Sequence, residues 1–344
     1  MPLVSVLMSV YDNASTLHAA LDSILAQTLT DFEFIVIDDA SPDNSKIIIH
    51  EYTDSRFVLI ENEGNLGLTA ALNVGLRSAK GKYVARMDAD DIALPTRLEK
   101  QITYLEQHPE VGILGTAAEV IGAEGESQGI ARRPQADLAI RWMSLLANPF
   151  LHPTVMFRWE LLVEHSLSYD ERFSTAQDYD LWCRLLEHTQ GANLAEPLLQ
   201  YRLSHGITGE HRQSQLRNHD IIAAESIARI LPGFSIASDR VSALRALTAG
   251  HAAFEDDPDP QRIVLLNDYL NLFTVFAAKH HHHPDLGKLK QHVAWEVADL
   301  ALRRPLRPGW SGILMRLVRI APGFSLRLPL ALARAGYRRL RGRA

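Results

Sequence analysis

The chain of 344 residues has a single cysteine, Cys183, so no intrachain disulfide can form. That absence excludes a disulfide-stapled scaffold and fits a reducing compartment. It has no stretch of 18 residues that is uniformly apolar and free of charge, so no spanning helix is expected. The opening Met-Pro-Leu-Val-Ser-Val has no basic region and no cleavage site, so no signal peptide is expected either. Acidic side chains are missing from the whole C-terminal segment. Residues 300–344 hold eleven arginines and no Lys, Asp or Glu. Without that segment the chain has 24 basic against 41 acidic residues, a balance of −17 instead of −6. An acidic body argues against a nucleic-acid partner, and the tail requires its own explanation. A hydrophobic content of 47% excludes a disordered chain, and the length leaves room for about two domains.

The N-terminal half alternates strand and helix patterns. Val4 to Val10, Phe32 to Ile37, Phe57 to Ile60 and Lys82 to Met87 are short apolar runs, read as buried strands. Between the first two, Leu17, Ala20, Leu21, Ile24 and Leu25 recur at helical spacing. A further helix is read from about 44 to Tyr52, and another over 68–79. This β-α-β-α-β-α-β order implies an α/β fold whose parallel sheet is covered on both faces. Residues 111–121 and 152–158 read as strands, and 134–147 and 179–187 as helices. Beyond about 215 the pattern is helical, over 217–230, 240–254, 261–279 and 286–304. The run His280 to His283 needs no role beyond a surface loop.

In such sheets ligands bind beyond the carboxyl ends of the strands. Asp12, Asp38, Asp39, Asp88, Asp90 and Asp91 all fall there. Three carboxylates within Met87-Asp88-Ala89-Asp90-Asp91 repel one another, and as hard oxygen ligands they suit Mg²⁺ or Mn²⁺. Taken alone, such a run is common and reads first as a solvated acidic turn. The loop after the first strand, Ser9-Val10-Tyr11-Asp12-Asn13-Ala14, has no glycine, Arg or Lys. This disfavours a dinucleotide-binding dehydrogenase and a nucleotide-sugar pyrophosphorylase.

The ordered set of segments resembles family 2 glycosyltransferases of the GT-A fold. The segments are Val4–Asp12, Ser23–Thr28, Phe34–Ser41, Asn65–Gly67, Ala71–Gly75, Gly81–Asp91 and Gln177–Trp182. The resemblance spans about 1–210. It implies a Rossmann-like, mostly parallel sheet with helices on both faces, followed by a helical C-terminal region. The expected division is 1–215 for the nucleotide-sugar-binding catalytic domain, 216–299 for a helical region and 300–344 for a basic amphipathic tail.

The resemblance also implies roles. Asp12 would lie near the nucleobase, and Asp39 would accept a hydrogen bond from uracil N3–H. A carboxylate only accepts, which suits the imide of uracil or thymine and favours UDP, then dTDP. Asp38 either joins that site or caps the following turn. Asp88 would contact the ribose and Asp90 the divalent ion, and Asp91 either supports the metal site or caps the next helix. Arg86 either pairs with a carboxylate or touches the diphosphate. Asp178 would be the general base that deprotonates the acceptor hydroxyl, giving inversion in a single displacement. Gln177 departs from the acid common there in the family. His152-Pro153-Thr154 resembles a stretch lining the acceptor side. His205 or His211, in a segment resembling one that closes over the donor phosphates, would reach the metal or diphosphate.

The implied reaction moves a hexose or N-acetylhexosamine from a UDP-sugar to a glycan or lipid-linked acceptor, with Mn²⁺ or Mg²⁺ as cofactor. The rival to an enzyme is a degenerate homologue that binds sugar nucleotide or a partner without turnover, and Gln177 is its support. The arginine tail, mixed with Ile313, Leu317, Leu328 and Leu330, suits an anionic membrane surface, or else packing against the acidic body. The expected place is the cytoplasm, peripheral on the inner face of the membrane.

Overall fold

A computed structural model describes residues 1–203, 209–248, 259–302 and 310–327. Its first four strands are β1 (Val4–Val10), β2 (Phe32–Asp38), β3 (Phe57–Glu61) and β4 (Tyr83–Asp88), all parallel in the spatial order β3-β2-β1-β4. Helices α1 (Ala14–Leu25), α2 (Ser45–His50) and α3 (Leu68–Ser78) make the crossovers. Successive strand residues face opposite sides, so each strand feeds two apolar layers. Val4, Val6 and Met8 pack with Leu17, Leu21 and Ile24 of α1. Leu7, Ile35 and Ile37 pack with Leu72 and Leu76 of α3. Both faces being covered explains why these strands read as continuous apolar runs.

The strand register sets up the site. Val10 stands opposite Asp38, and Ser9 opposite Asp88. The ends of β1, β2 and β4 are therefore level, and Asp38-Asp39 and Asp88–Asp91 leave the sheet at the same edge.

After β4 come β5 (Ile92–Ala93), α4 (Arg97–Gln107), β6 (Val111–Ile121), β7 (Ser127–Ala131) and α5 (Asp137–Met143). A 3₁₀ turn at His152–Thr154 leads into β8 (Met156–Arg158), then α6 (Trp159–Glu164), α7 (Gln177–Leu185) and β9 (Gln190–Arg202). The sheet continues from β4 as β8-β6-β9-β5, with β7 on β6. The parallel reading describes β1–β4. Beyond them β8 is antiparallel to both β4 and β6, while β6 and β9 are parallel. β7 joins β6 through a tight turn, which requires antiparallel pairing. α7 inserts Trp182, fully buried, among Phe150, His152, Phe157 and Tyr169. Cys183 is buried on the same helix.

The chain divides into two compact units, Met1–Ile222 and Ala223–Ala344. α8 (Gly209–Ile230) begins in the first and ends in the second. The second unit is helical, with α9 (Ser238–Thr248), α10 (Asp259–Lys279), α11 (Leu286–Leu302), α12 (Trp310–Ile320) and a 3₁₀ turn at Pro322–Arg327. Its interior includes Leu266, Leu270, Phe273, Val293 and Val297. α12 turns Ile313 and Leu317 inward, and Arg316 donates to Asn267 Oδ1 at 2.7 Å and Asn271 Oδ1 at 2.8 Å. The described start of the basic tail thus packs on the helices of its own unit. The segments 303–309 and 328–344, with most of the tail arginines, lie outside the described residues. Among the described residues no helix is long and apolar enough to cross a membrane.

Candidate active site

The level strand ends open on a cleft of about 660 Å³ in the first unit, lined by Asp39, Asp88, Asp90, His152, Asp178 and Tyr201 among others. Residues from β2, β4, the turn before β8, α7 and β9 therefore meet in one cavity, although 139 positions separate Asp39 from Asp178.

Asp39 is buried and holds the loop before α3. Its carboxylate accepts from Asn62 Nδ2 at 2.7 Å and from the Leu66 and Gly67 amides at 2.9 Å each. Gly67 has φ +82°, a left-handed conformation that costs glycine little. A carboxylate offers about four acceptor sites, so three bonds leave capacity on the cleft side. Asp38 caps its turn, with Oδ1 accepting from the Ser41 amide at 3.1 Å. Asp12 is exposed, with φ +58°. Its neighbours Tyr11 and Asn13 line the cleft, and Asp12 does not.

The acidic loop after β4 is anchored from below. Arg86 is fully buried; its Nη2 pairs with Asp88 Oδ1 and its Nε donates to His152 Nε2 at 3.1 Å. Arginine only donates, so His152 Nε2 accepts and the neutral imidazole carries its proton on Nδ1. Burial, reinforced by the Arg86 charge, pushes His152 down to about 4. Burial pulls the Asp88 carboxyl upward, but the charge and hydrogen bond of Arg86, with the Arg97 charge, outweigh it and hold Asp88 below the ordinary value. Arg86 stands behind Asp88 and does not line the cleft.

Asp90 is half-buried in the cleft, and burial with the Asp88 charge pushes it up to about 6. Asp91 is fully buried outside the lining. Its Oδ1 accepts from the Arg202 amide at 2.8 Å, and its Oδ2 has no partner among the described residues. Burial, then Asp88 and Asp90, raise it well above the carboxylate range. Arg202, at the end of β9, also donates from Nε to the Asp90 carbonyl at 2.9 Å, so β9 clamps the loop. Burial and the mutual repulsion of the aspartates favour protons on these two carboxyl groups, and a divalent cation would relieve that repulsion. Among the described residues no group of three or more His, Cys, Asp or Glu forms a cage for a metal. The loop presents Asp88 and Asp90 to the cleft, and Mg²⁺ or Mn²⁺ is usually held by few protein oxygens, with phosphate and water completing its shell.

Asp178 sits in the first turn of α7, after Ala176 at φ +61°. Asn148 Nδ2 donates to its Oδ2 at 2.6 Å, and Asn148 Oδ1 accepts from the Phe150 amide at 3.1 Å, which fixes the donor's orientation. Gln177 also lines the cleft. Asp180 is buried and bonded by Arg184 Nε at 2.9 Å, away from the cleft. Tyr201 is pushed up to about 12 by burial and the surrounding aspartates. His205 and the side chain of His211 lie outside the described residues. Asn73 does structural work, with Nδ2 donating to the Tyr169 carbonyl at 2.9 Å and Oδ1 accepting its amide at 3.0 Å. Sequence reasoning missed Asn148 and Arg133 in the lining. The Arg132-Arg133-Pro134 cluster was a faint signal for one, and nothing local marked the other.

The model of glycosyl transferase family 2 matches residues 5–162. An uncharacterized glycosyltransferase of Haemophilus influenzae is 31% identical over 312 residues, covering 85% of this chain and 94% of that one. The chain belongs to glycosyl transferase family 2. This glycosyltransferase is also 34% identical over 215 residues to the amylovoran biosynthesis glycosyltransferase AmsE of Erwinia amylovora, covering 61% of this chain and 80% of the relative. Its fold is GT-A, as in S. aureus TarS 1–349 in complex with UDP-GlcNAc, with a TM-score of 0.57 at 18% identity over 94% of this chain and 91% of the other. The curled sheet with its helical C-terminal region matches the fold expected from the sequence.

Proposed function

We propose that this glycosyltransferase transfers a hexosyl or N-acetylhexosaminyl group from a UDP-sugar to a glycan or lipid-linked acceptor, with inversion, in envelope or exported polysaccharide synthesis. The observation that carries this reading is the shared cleft, lined by Asp88 and Asp90 and also by an oriented Asp178. The amylovoran biosynthesis role of AmsE supports a place in exported polysaccharide synthesis, and the UDP-GlcNAc complex of TarS supports a UDP-sugar donor.

In this reading the pocket beside Asp39, Tyr11 and Asn13 takes the uracil, with Asp12 at its margin, and Asp88 takes the ribose. Asp90, supported by Asp91, would hold Mg²⁺ or Mn²⁺. When bound, the cation offsets the negative charge that builds on the departing diphosphate. Arg86 keeps Asp88 ionised and aimed. Asp178, steadied by Asn148, takes the proton of the acceptor hydroxyl as that oxygen bonds the anomeric carbon on the face opposite UDP. The lower-numbered region, to about 215, is the catalytic domain, and the arginine-rich end draws the enzyme to the anionic inner face of the membrane.

The test is UDP release from a panel of UDP-sugars in Mn²⁺ and in excess chelator. Metal-dependent release with at least one sugar is expected. Full activity in chelator would remove the metal from the reading, and binding of UDP-sugars without release would make the chain a binding homologue.

A further inference from the structure

The helix that carries Asp178 begins without a cap of its own. An N-cap residue normally has an extended backbone and offers a side-chain oxygen to the first free amides. In α7 that position is Ala176, at φ +61° and ψ +16°, and it makes no side-chain cap. The left-handed region disfavours a residue that has a Cβ, so the turn relaxes unless something outside it holds it. Asp178 stands two residues further on, in the turn that such relaxation frays.

α8 supplies the hold. Asn218 Nδ2 donates to the Thr175 carbonyl at 3.0 Å and to Thr175 Oγ1 at 2.9 Å. Its two N–H groups thereby fix both the backbone and the side chain of the residue before Ala176. Gln215, Asn218, His219 and Ile222 recur at three and four, so they form one stripe of α8. Gln215 and His219 line the cleft. The His219 ring is tilted over Tyr179, with centroids 5.3 Å apart, and Ile222 is buried with Phe173, Ala176, Tyr179 and Cys183. The whole stripe lies in the first unit. Its apolar part presses α8 onto α7, and its one clamp on the turn is directional, because hydrogen bonds fix angles as well as distance.

We propose that Asn218 is a positioning residue for the transfer. It holds the Thr175-Ala176 turn in its left-handed form and so keeps Asp178 in line with the acceptor hydroxyl. The proposal rests on the reading of Asp178 as the base. Asn218 follows Thr175 by 43 positions and does not itself line the cleft, so it acts only through the turn.

The experiment measures sugar transfer by the full chain from a UDP-sugar that the wild type uses, with UDP affinity and a urea midpoint for each variant. Asn218→Ala removes both bonds, and Asn218→Leu removes them while keeping the volume. In both, kcat should fall about tenfold, with donor KM and UDP affinity unchanged within about twofold. Adding Ala176→Gly to Asn218→Ala makes the left-handed turn less costly and should recover about threefold of that loss. Adding Asn218→Ala to Asp178→Asn should cost less than about twofold further, because the group it positions is gone. Wild-type kcat in both Asn218 variants overturns the proposal. So does a loss that persists in full on top of Asp178→Asn, or one that follows the urea midpoint alone, either of which makes Asn218 a structural support. Wild-type transfer by Asp178→Asn alone removes the base, and the role of Asn218 falls with it.

Discussion

Asn148 shows how a residue without chemistry of its own can govern one that has it. Its amide reaches Asp178 at 2.6 Å and is itself oriented by the Phe150 backbone. Asn148→Ala frees the carboxylate to leave its attacking geometry, so kcat should fall roughly tenfold with the donor KM unchanged. Asn148→Asp sets a like charge beside Asp178 and raises its proton affinity, so the acid limb of the pH–rate profile should move to higher pH. A purely structural Asn148 would leave that limb in place. At this scale the sequence is legible where chemistry is local. Asp38, Asp39, Asp88 and Asp90 are visible because each follows a readable strand. Asn148 and Arg133 lie 30 and 45 positions before Asp178, in loops whose composition says nothing of what they face.

The elements that shape the site differ in how openly they are encoded. β1 to β4 are apolar runs between clear turns, and their ends fall where the pattern places them. β9 is different, because Gly191-Ala192-Asn193 and Pro197 interrupt any strand pattern. Pairing with β6 imposes extension on it, with register shifts near Ala117. Tertiary context overrides weak propensity there, and the result is functional, since Arg202 at its end clamps Asp90 and Asp91. The entry to β4 carries a stricter demand. A Cβ on Gly81 would stand 2.5 Å from the Ser5 nitrogen and 2.7 Å from the Val4 carbonyl carbon, both backbone atoms of β1. Gly81→Ala should therefore destabilise the fold by roughly 1–3 kcal/mol, read as a lower urea midpoint with an unchanged slope.

Across the whole molecule, two groups of the cleft pull stability in opposite directions as pH falls. His152 is held neutral down to about 4, against an unfolded value of 6.5. Between those values the unfolded chain binds a proton that the folded chain refuses, so this group removes stability as pH falls, by about 1.4 kcal/mol per unit. Asp90, raised to about 6 from 3.8, takes its proton earlier in the folded state and adds stability as pH falls through the same range. Without metal, His152→Gln should therefore lose less stability than wild type, or gain some, between pH 6.5 and 4.5. Parallel denaturation curves for the two proteins across that range would contradict the assignment of His152 as neutral.

The two-unit organisation places every residue named in the chemistry within Met1–Ile222, so binding and turnover can be separated by one substitution there. Asp178→Asn keeps the size, the cleft and the donor-side carboxylates, and removes only the proton acceptor. The most direct measurement compares wild type and this variant for UDP affinity in Mn²⁺ and for sugar transfer from a UDP-sugar that the wild type uses. UDP affinity unchanged within about twofold, with transfer reduced a hundredfold or more, is the predicted result. Transfer near the wild-type rate with intact UDP binding would contradict the account.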